Sequence, residues 1–492
     1  MANSVKSNYY GKSREYEFTV TARILSKYEN IKSIAADCAD ISEYKTECSS
    51  GRLFITGRVN FKLIANDGEA GVVALNYNVD FDEKAEADFI TPESVVMGEI
   101  SVQEVRVNVL GGNEAEVSAK CRFLFTEILS EETEMLPVSE AVLTKKEAFS
   151  IGRLQVCPQK DFAVTREIPV SSEKGILQAD ASAVITQTYV QDGVLTVKGT
   201  AYLQVISLSS EDLPQVTLIS IDFDEETDAG SFTGNSVPMV RIKPVGTRIR
   251  INSDEERSVT QAEMTFRLFV YAMHEDITEC IVDDYSTTHN TESRYEDIHG
   301  ISYYGMTTAQ IGFSGRAECD TPVARALGLY NGKAVVTQAE AGEGNVRISG
   351  MVTGNFIYLD GDDRLSSNRF VLPFAAIVNV PEARQEMRVS ADAVVTDAAV
   401  KRNGAGADIA GTVTVNLYLT HNTTARVIAE VTVGEEKIRS DAAIEVVIAG
   451  VGDDLWSIGK SLEMNPDELL AVNPELKEPL CEQTRVVVYR HL

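Results

Sequence analysis

The 492-residue sequence predicts a mostly β protein, with three repeated β-rich domains of curved or sandwich-like sheets followed by a small βααβ domain. Two observations predict this fold class. An internal repeat returns twice, and within each copy apolar and polar residues alternate with period two, which places one face of each strand in a core. After the third copy, the alternation gives way to two short stretches with the periodicity of amphipathic helices.

The repeat is clearest in a strand that begins and ends with glycine. Residues 51–57 (GRLFITG) recur as residues 193–199 (GVLTVKG) and again as residues 344–350 (GNVRISG). The second glycine of each copy lies on the buried face, and glycine inside a strand often marks a bulge or a tight bend. We therefore expect strongly curved sheets. The copies have the size of domains, and the predicted domains are 1–140, 141–290, 291–437 and 438–492.

The last domain begins with a strand and a helix. Residues 444–448 are rich in β-branched residues, and Gly450 ends this predicted strand. Asp453 or Asp454 can then cap a helix, because a short carboxylate side chain accepts hydrogen bonds from the free N–H groups of the first turn. The apolar positions of this helix share one face: Leu455, Ile458 and Leu462.

A second helix and a closing strand complete the domain. Asn465 is a suitable N-cap, is followed by proline at the first helical position, and has Glu468 where a capping box has its acid. Pro474 disfavours helical geometry at Asn473, so we expect the helix to end there. The final strand, residues 485–489, would pair with the first, and both helices must cover so small a sheet.

This C-terminal module resembles a LysM domain. The resemblance rests on residues 451–458 (VGDDLWSI), on the Asn-Pro pair after the second helix and on the closing strand. It implies a partner- or glycan-binding groove between the loop before the first helix and the loop after the second. The implied groove residues are Gly452, Asp453, Asp454, Leu455, Asn473, Pro474 and Glu475.

Two departures from the LysM pattern count against ordinary sugar binding. Asp454 stands where the family usually has threonine, and residues 480–483 (LCEQ) replace its usual glycine-containing turn. Trp456 is interpreted as a core residue rather than a ligand platform, since a lone tryptophan on a short helix is more often buried.

Composition limits the classes of partner. The net charge of −29 excludes a nucleic-acid binder, because phosphate contacts need clustered Lys and Arg, and it disfavours docking on anionic lipid. No apolar run long enough for a membrane span occurs, and residues 1–20 lack the apolar core of a signal peptide. Seven scattered cysteines without a C-x-x-C pair indicate reduced thiols. We expect the protein to stay inside the cell that makes it.

Motifs for catalysis are not found. Residues 404–408 (GAGAD) do not fit a nucleotide-binding loop, and the five histidines lack zinc-site spacing. Asp222, Asp224 and Glu226 alternate as in a calcium loop but lack its glycine and distal glutamate. We therefore predict no metal, no cofactor and no enzymatic activity.

The whole chain resembles the SipL-type spore-coat morphogenesis proteins, which combine repeated SPOCS (spore coat-associated) domains with a C-terminal LysM domain. Residues 348–363 of the third copy carry the closest likeness, and the first copy is more divergent. The resemblance implies a structural adaptor of endospore coat assembly. It would lie in the mother-cell cytoplasm at the forespore surface, with its LysM domain bound to a SpoIVA-like coat basement protein.

Two alternatives remain open. The first is a cell-envelope protein that binds peptidoglycan or chitin-type glycans through the groove, which the acidic module and the altered turn disfavour. The second is a hydrolase whose active site lies unrecognised in a β domain.

Overall fold

The computed structural model describes residues 3–28, 31–69, 71–111, 113–170, 175–209, 213–230, 232, 236–253, 258–319, 321–437 and 444–489. Within these ranges the chain is almost entirely β, as predicted. Three β-sandwiches are followed by a βααβ module. Neither of the two helices in the described ranges has the length and apolar character needed to cross a membrane.

The first sandwich consists of two antiparallel sheets of three strands each. Its strands are β1 (Asn3–Leu25), β2 (Ile31–Ser49), β3 (Arg52–Asp67), β4 (Gly71–Glu86), β5 (Val95–Gly111) and β6 (Glu114–Met135). We call β1-β6-β5 its terminal sheet and β2-β3-β4 its meander sheet. Alternate residues of both sheets fill the core between them, among them the fully buried Ile55, Phe61 and Phe123.

The other two sandwiches share this topology. The strands of the second are β7 (Leu143–Val156), β8 (Lys160–Ile168), β9 (Ile176–Gln191), β10 (Val194–Leu208), β11 (Pro214–Asp228), β12 (Val237–Ser253) and β13 (Ser258–Tyr285). Those of the third are β14 (His289–Ala317), β15 (Arg325–Gly342), β16 (Asn345–Leu359), β17 (Leu365–Asn379), β18 (Arg388–Asn403) and β19 (Gly406–Glu436). The meander sheets are β9-β10-β11 and β15-β16-β17, and the third terminal sheet is β14-β19-β18.

The second terminal sheet departs from the pattern at its first strand. Two short strands, β7 and β8, pair with β13 at the positions where the other sandwiches use one long strand. Pro158 lies between the two short strands, and proline has no N–H to give to the ladder.

The repeated glycines lie on the middle strand of each meander sheet, opposite a phenylalanine of the next strand. The three pairs are Gly57 with Phe81, Gly199 with Phe223 and Gly350 with Phe374. A Cβ added at Gly350 would lie 2.3 Å from Phe374 Cζ and 2.4 Å from the Val335 carbonyl oxygen. The glycines therefore make room for an aromatic ring that lies across the strand, which explains their recurrence.

Each sandwich contacts both of the others, so the three form a closed ring rather than a string. One residue on the middle strand of each meander sheet donates a hydrogen bond to the next sandwich in the chain, and the residue of the third sandwich donates to the first. We call these residues, Lys62, Gln204 and Asn355, the closing ring. The bonds join Lys62 to Asp180, Gln204 Nε2 to the Leu329 carbonyl (2.9 Å) and Asn355 Nδ2 to the Asp37 carbonyl (2.7 Å).

A second set of equivalent residues joins the terminal sheets. Glu99, Arg241 and Asp392, which we call the charged triad, each precede the β-bulge of β5, β12 or β18 by the same distance. Arg241 Nε donates to Asp392 Oδ2 at 2.8 Å, and Arg241 Nη2 donates to Glu99 Oε2 at 3.1 Å. Although burial opposes the charge, Asp392 and Glu99 raise the pKa of Arg241 well above its usual value.

The C-terminal module comprises β20 (Ile444–Ala449), α1 (Leu455–Leu462), α2 (Pro466–Val472) and β21 (Thr484–Tyr489). The two strands pair antiparallel, with Ile444 opposite Tyr489 and Ala449 opposite Thr484. Its small core contains Ile458, Leu469 and Val486. The predicted start of this domain at residue 438 lies outside the described residues, as do residues 490–492.

Candidate binding site in the C-terminal module

Asp454 is the N-cap of α1, one of the two residues predicted for that position. Ser457 N donates to Asp454 Oδ1 at 2.8 Å, and Asp454 N donates back to Ser457 Oγ at 3.1 Å, so serine completes a capping box. Lys145 of β7 forms an ion pair with Asp454 at 3.0 Å. The N–H and hydroxyl of Ser457, followed by Lys145, lower the pKa of Asp454 to about 2.

Asp453 braces the loop before α1. Its carboxylate accepts a hydrogen bond from Gly450 N at 2.7 Å, and its carbonyl accepts one from Leu480 N at 3.0 Å. Gly452 N donates to the Leu480 carbonyl at 2.8 Å, and Gly452 has a φ of +93°, a left-handed conformation that favours glycine. The loop before α1 and the segment after α2 therefore lie side by side.

The contact between these loops uses two residues that the sequence analysis did not assign to the groove. Glu478 accepts a hydrogen bond from the backbone N–H of Leu455, and Leu480 makes the two backbone bonds to Gly452 and Asp453. Leu480 lies in the segment where the sequence departs from the LysM pattern, and Glu478 lies two residues before that segment. The LCEQ replacement at residues 480–483 was the available signal for Leu480, whereas Glu478 had none.

Asn473 is a buried brace. It is 1% exposed, and its Nδ2 donates to the carbonyls of Leu469 (2.9 Å) and Val487 (2.8 Å). Its Oδ1 accepts from Val487 N at 2.8 Å. The amide thus ties the end of α2 to β21, and its polar atoms are turned to the main chain. Pro474 and Glu475, the next two predicted groove residues, are exposed.

Trp456 packs against the second sandwich rather than in the core of the module. Its ring meets Tyr285 of β13 edge-on, with centroids 4.8 Å apart, and its indole N–H donates to Asp283 at 2.8 Å. The interpretation of Trp456 as a core residue is therefore wrong, because the side chain packs at the contact between the module and the second sandwich and not inside the module. Gly459 lets α1 lie close to β13, because a Cβ at this position would be 2.7 Å from the Tyr285 hydroxyl oxygen.

Ion pairs surround this contact. Lys145 pairs with Asp454 at 3.0 Å, Lys437 with Glu463 at 2.9 Å, and Lys460 with Asp283. The face of the module that carries Trp456 and the Asp454 carboxylate is consequently turned toward the second sandwich.

The face of the small β20-β21 sheet that is turned away from α1 and α2 is apolar and open to solvent. Ile444, Val446, Ile448 and Tyr489, which we call the outer sheet face, are 60%, 59%, 66% and 52% exposed. Period-two alternation explains this face, since the intervening residues of β20 and β21 point toward the helices. Nothing in the described part of the chain groups three His, Cys, Asp or Glu side chains closely enough to hold a metal ion.

One segment of the chain matches a known family. Residues 329–403 match the family model described as SipL, SPOCS domain. They run from within β15 to the end of β18, and so include the glycine–phenylalanine pair of the third sandwich. The match supports a SipL-like protein with a role related to sporulation. No curated protein and no solved structure matches the chain.

Proposed function

We propose that this protein is a non-enzymatic structural adaptor of endospore coat assembly. The observation that carries the proposal is the SPOCS match on the third sandwich, combined with a βααβ module that ends the described chain. The sandwiches would form one body, and the module would recruit that body to the forespore surface from the mother-cell cytoplasm by binding a SpoIVA-like coat basement protein.

Two exposed parts of the module are candidates for that contact. One is the pair Pro474 and Glu475 of the LysM-like groove, and the other is the outer sheet face. The module from residue 444 to the end has nine acidic and four basic residues, which favours a partner surface with Lys or Arg around an apolar centre. Asp453, Asp454 and Asn473 contribute less in this proposal, because their side chains already hold the loops.

Capture of a purified SpoIVA-like protein by the full chain tests the proposal. Charge reversal at Asp453 or Asp454 would damage the loop itself, so Glu475→Lys and Val446→Glu are the better variants. Asp82→Lys, on the exposed side of β4, is the matched control. We expect at least one module variant to capture roughly tenfold less partner, since interface centres carry most of the binding energy. Equal capture by all three variants would contradict a role for the module.

Binding of glycans is the alternative outcome. Calorimetry with chitin oligomers and muropeptides measures it directly on the same preparation. Saturable micromolar binding that Glu475→Lys abolishes, without capture of the coat protein, would replace the adaptor by an envelope glycan-binding protein.

A further inference from the structure

A cavity of about 1030 Å³ lies where the three sandwiches meet, and residues of all three line it. Its size is that of a site for a small organic molecule. The lining includes Leu124 and Leu218, which are 48% and 43% exposed, so the cavity communicates with solvent. The adaptor function proposed above makes no use of this space.

The charge of the lining contrasts with that of the chain. Seven basic and five acidic side chains line the cavity, an excess of two positive charges in a protein of net charge −29. The basic residues are Lys62, Arg122, Arg241, Lys243, Arg267, Lys333 and Arg388, and the acidic ones are Asp40, Glu43, Glu99, Asp180 and Asp392. Because Arg122 and Arg267 pair with Glu15 and Asp161, which lie outside the lining, the surroundings of the cavity are close to neutral, and an anion is repelled less there than at the acidic exterior.

Arg388 differs from the other six basic residues of the lining. Each of those six forms an ion pair with a carboxylate, whereas Arg388 forms none with any residue that the structure describes. Its Nη2 donates to Thr126 Oγ1 at 2.5 Å, and its guanidinium lies over the Tyr10 ring, 4.8 Å from the centroid. A guanidinium has five N–H donors, so most of its capacity is available to a ligand.

Burial makes this arrangement costly without a ligand. Desolvation lowers the pKa of Arg388, which means that its surroundings disfavour the charge. Tyr10 and Tyr271, which belong to one buried cluster and are each 8% exposed, also line the cavity and offer aromatic surface. Elsewhere in the lining, Gln178 Oε1 and Asn60 Oδ1 are buried acceptors without a protein partner in the described residues.

We propose that the central cavity binds a small organic anion, whose carboxylate or phosphate group pairs with Arg388 and whose body rests against Tyr10 and Tyr271. A planar guanidinium recognises either oxyanion through two parallel N–H bonds. The ligand would contact residues of all three sandwiches, and so would favour the closed arrangement over any separated one.

Calorimetric titration of the full chain with phenyl phosphate and with benzoate tests the site. The two probes share an aromatic ring and differ in the oxyanion, so they distinguish a phosphate ligand from a carboxylate ligand. We expect saturable binding of at least one probe, weakened roughly 10- to 100-fold by Arg388→Gln, because hydrogen bonds to charged groups are the strong ones. Arg347→Gln, an equal loss of charge at an exposed position of β16, is the control and is expected to bind normally.

A stability measurement separates this role from a structural one. Because Arg388 has no carboxylate partner among the described residues, Arg388→Gln is expected to leave Tm unchanged or higher. If the Tm of Arg388→Gln falls, Arg388→Lys is the deciding variant, because lysine keeps the charge but lacks the planar guanidinium. At least tenfold weaker probe binding by Arg388→Lys then supports the site. Failure of both probes to bind the full chain overturns the proposal. Unchanged probe affinity in Arg388→Gln also overturns it. Where Arg388→Gln lowers Tm, unchanged probe affinity in Arg388→Lys overturns it as well.

Discussion

At the scale of single residues, the three sandwiches differ most informatively where they meet. The charged triad places Glu99, Arg241 and Asp392 at equivalent positions of three similar strands. Three identical charges there would repel one another, whereas one arginine between two carboxylates makes two attractive pairs. A sequence repeat is recognised by residues that are similar in each copy, but the three triad positions carry different residue types. The residues of the charged triad were therefore not predicted.

Arg241→Gln is expected to destabilise the protein strongly. It removes the arginine that pairs with both Glu99 and Asp392 and leaves Lys243 as their basic neighbour, and breaking a buried ion pair costs about 3–5 kcal/mol of the free energy of unfolding. Urea denaturation followed by circular dichroism measures this cost. Arg58→Gln, which removes an exposed ion pair with Asp80, serves as control and should change the midpoint little. Similar midpoints for both variants would contradict the importance of the triad.

The repeated glycines lead to a second prediction at this scale. Gly350→Ala would force Phe374 or the β15 backbone to move, since both lie within 2.4 Å of the added carbon. We expect a loss of about 1–3 kcal/mol in the free energy of unfolding, as for other overpacked cores. Gly361→Ala, where no atom lies within 4 Å of the added carbon, is the matched control. Calorimetric melting of the two variants should show a lower Tm only for Gly350→Ala.

At the scale of elements, the module was predicted well because its caps are local. The alternation of β20, the two helices and the ends set by Asp454 and Asn473 agree with the sequence reasoning. The exception is Glu468, which was predicted to complete a capping box: the side chain of Asn465 accepts its hydrogen bond from Asp467 N at 2.9 Å, one residue before Glu468. The sides of the helices that contact other elements could not be predicted, because Tyr285 is 171 residues away from Trp456 in sequence.

The cap of α1 predicts a pH dependence. The pKa of Asp454 in the folded protein is lowered to about 2, below the value of about 3.9 for a free aspartate. A lowered pKa stabilises the fold above pH 4, and this contribution disappears as the pH falls toward 2.

Asp454→Asn isolates the contribution of the charge, because asparagine caps a helix equally well. We expect its Tm to lie below that of the unaltered chain near pH 6 and to converge with it near pH 2. Differential scanning calorimetry across this range is the measurement. A Tm difference that stays constant down to pH 2 would argue against the charge as its source.

At the scale of the whole molecule, the closed ring is the feature that sequence reasoning did not reach. Period two and the repeat predicted sandwich-like β domains, but these signals describe what lies within a domain. Contacts between sandwiches depend on single side chains such as Lys62, Gln204 and Asn355, which have no common residue type.

Small-angle X-ray scattering tests the ring. A compact body of this length has a radius of gyration of about 23 Å, which is the expected value for the unaltered chain. Arg241→Glu would bring three carboxylates together and is expected to increase that radius. A markedly larger radius for the unaltered chain would show that the sandwiches separate in solution.

The position of Trp456 has a practical consequence. It is the only tryptophan of the chain, and its indole lies at the contact between the module and the second sandwich. Its fluorescence is therefore an intrinsic, label-free signal for one event, the release of the module from the body. A red shift of the emission on adding a partner would show that the adaptor opens when it binds, and an unchanged spectrum would show that it binds in the docked form.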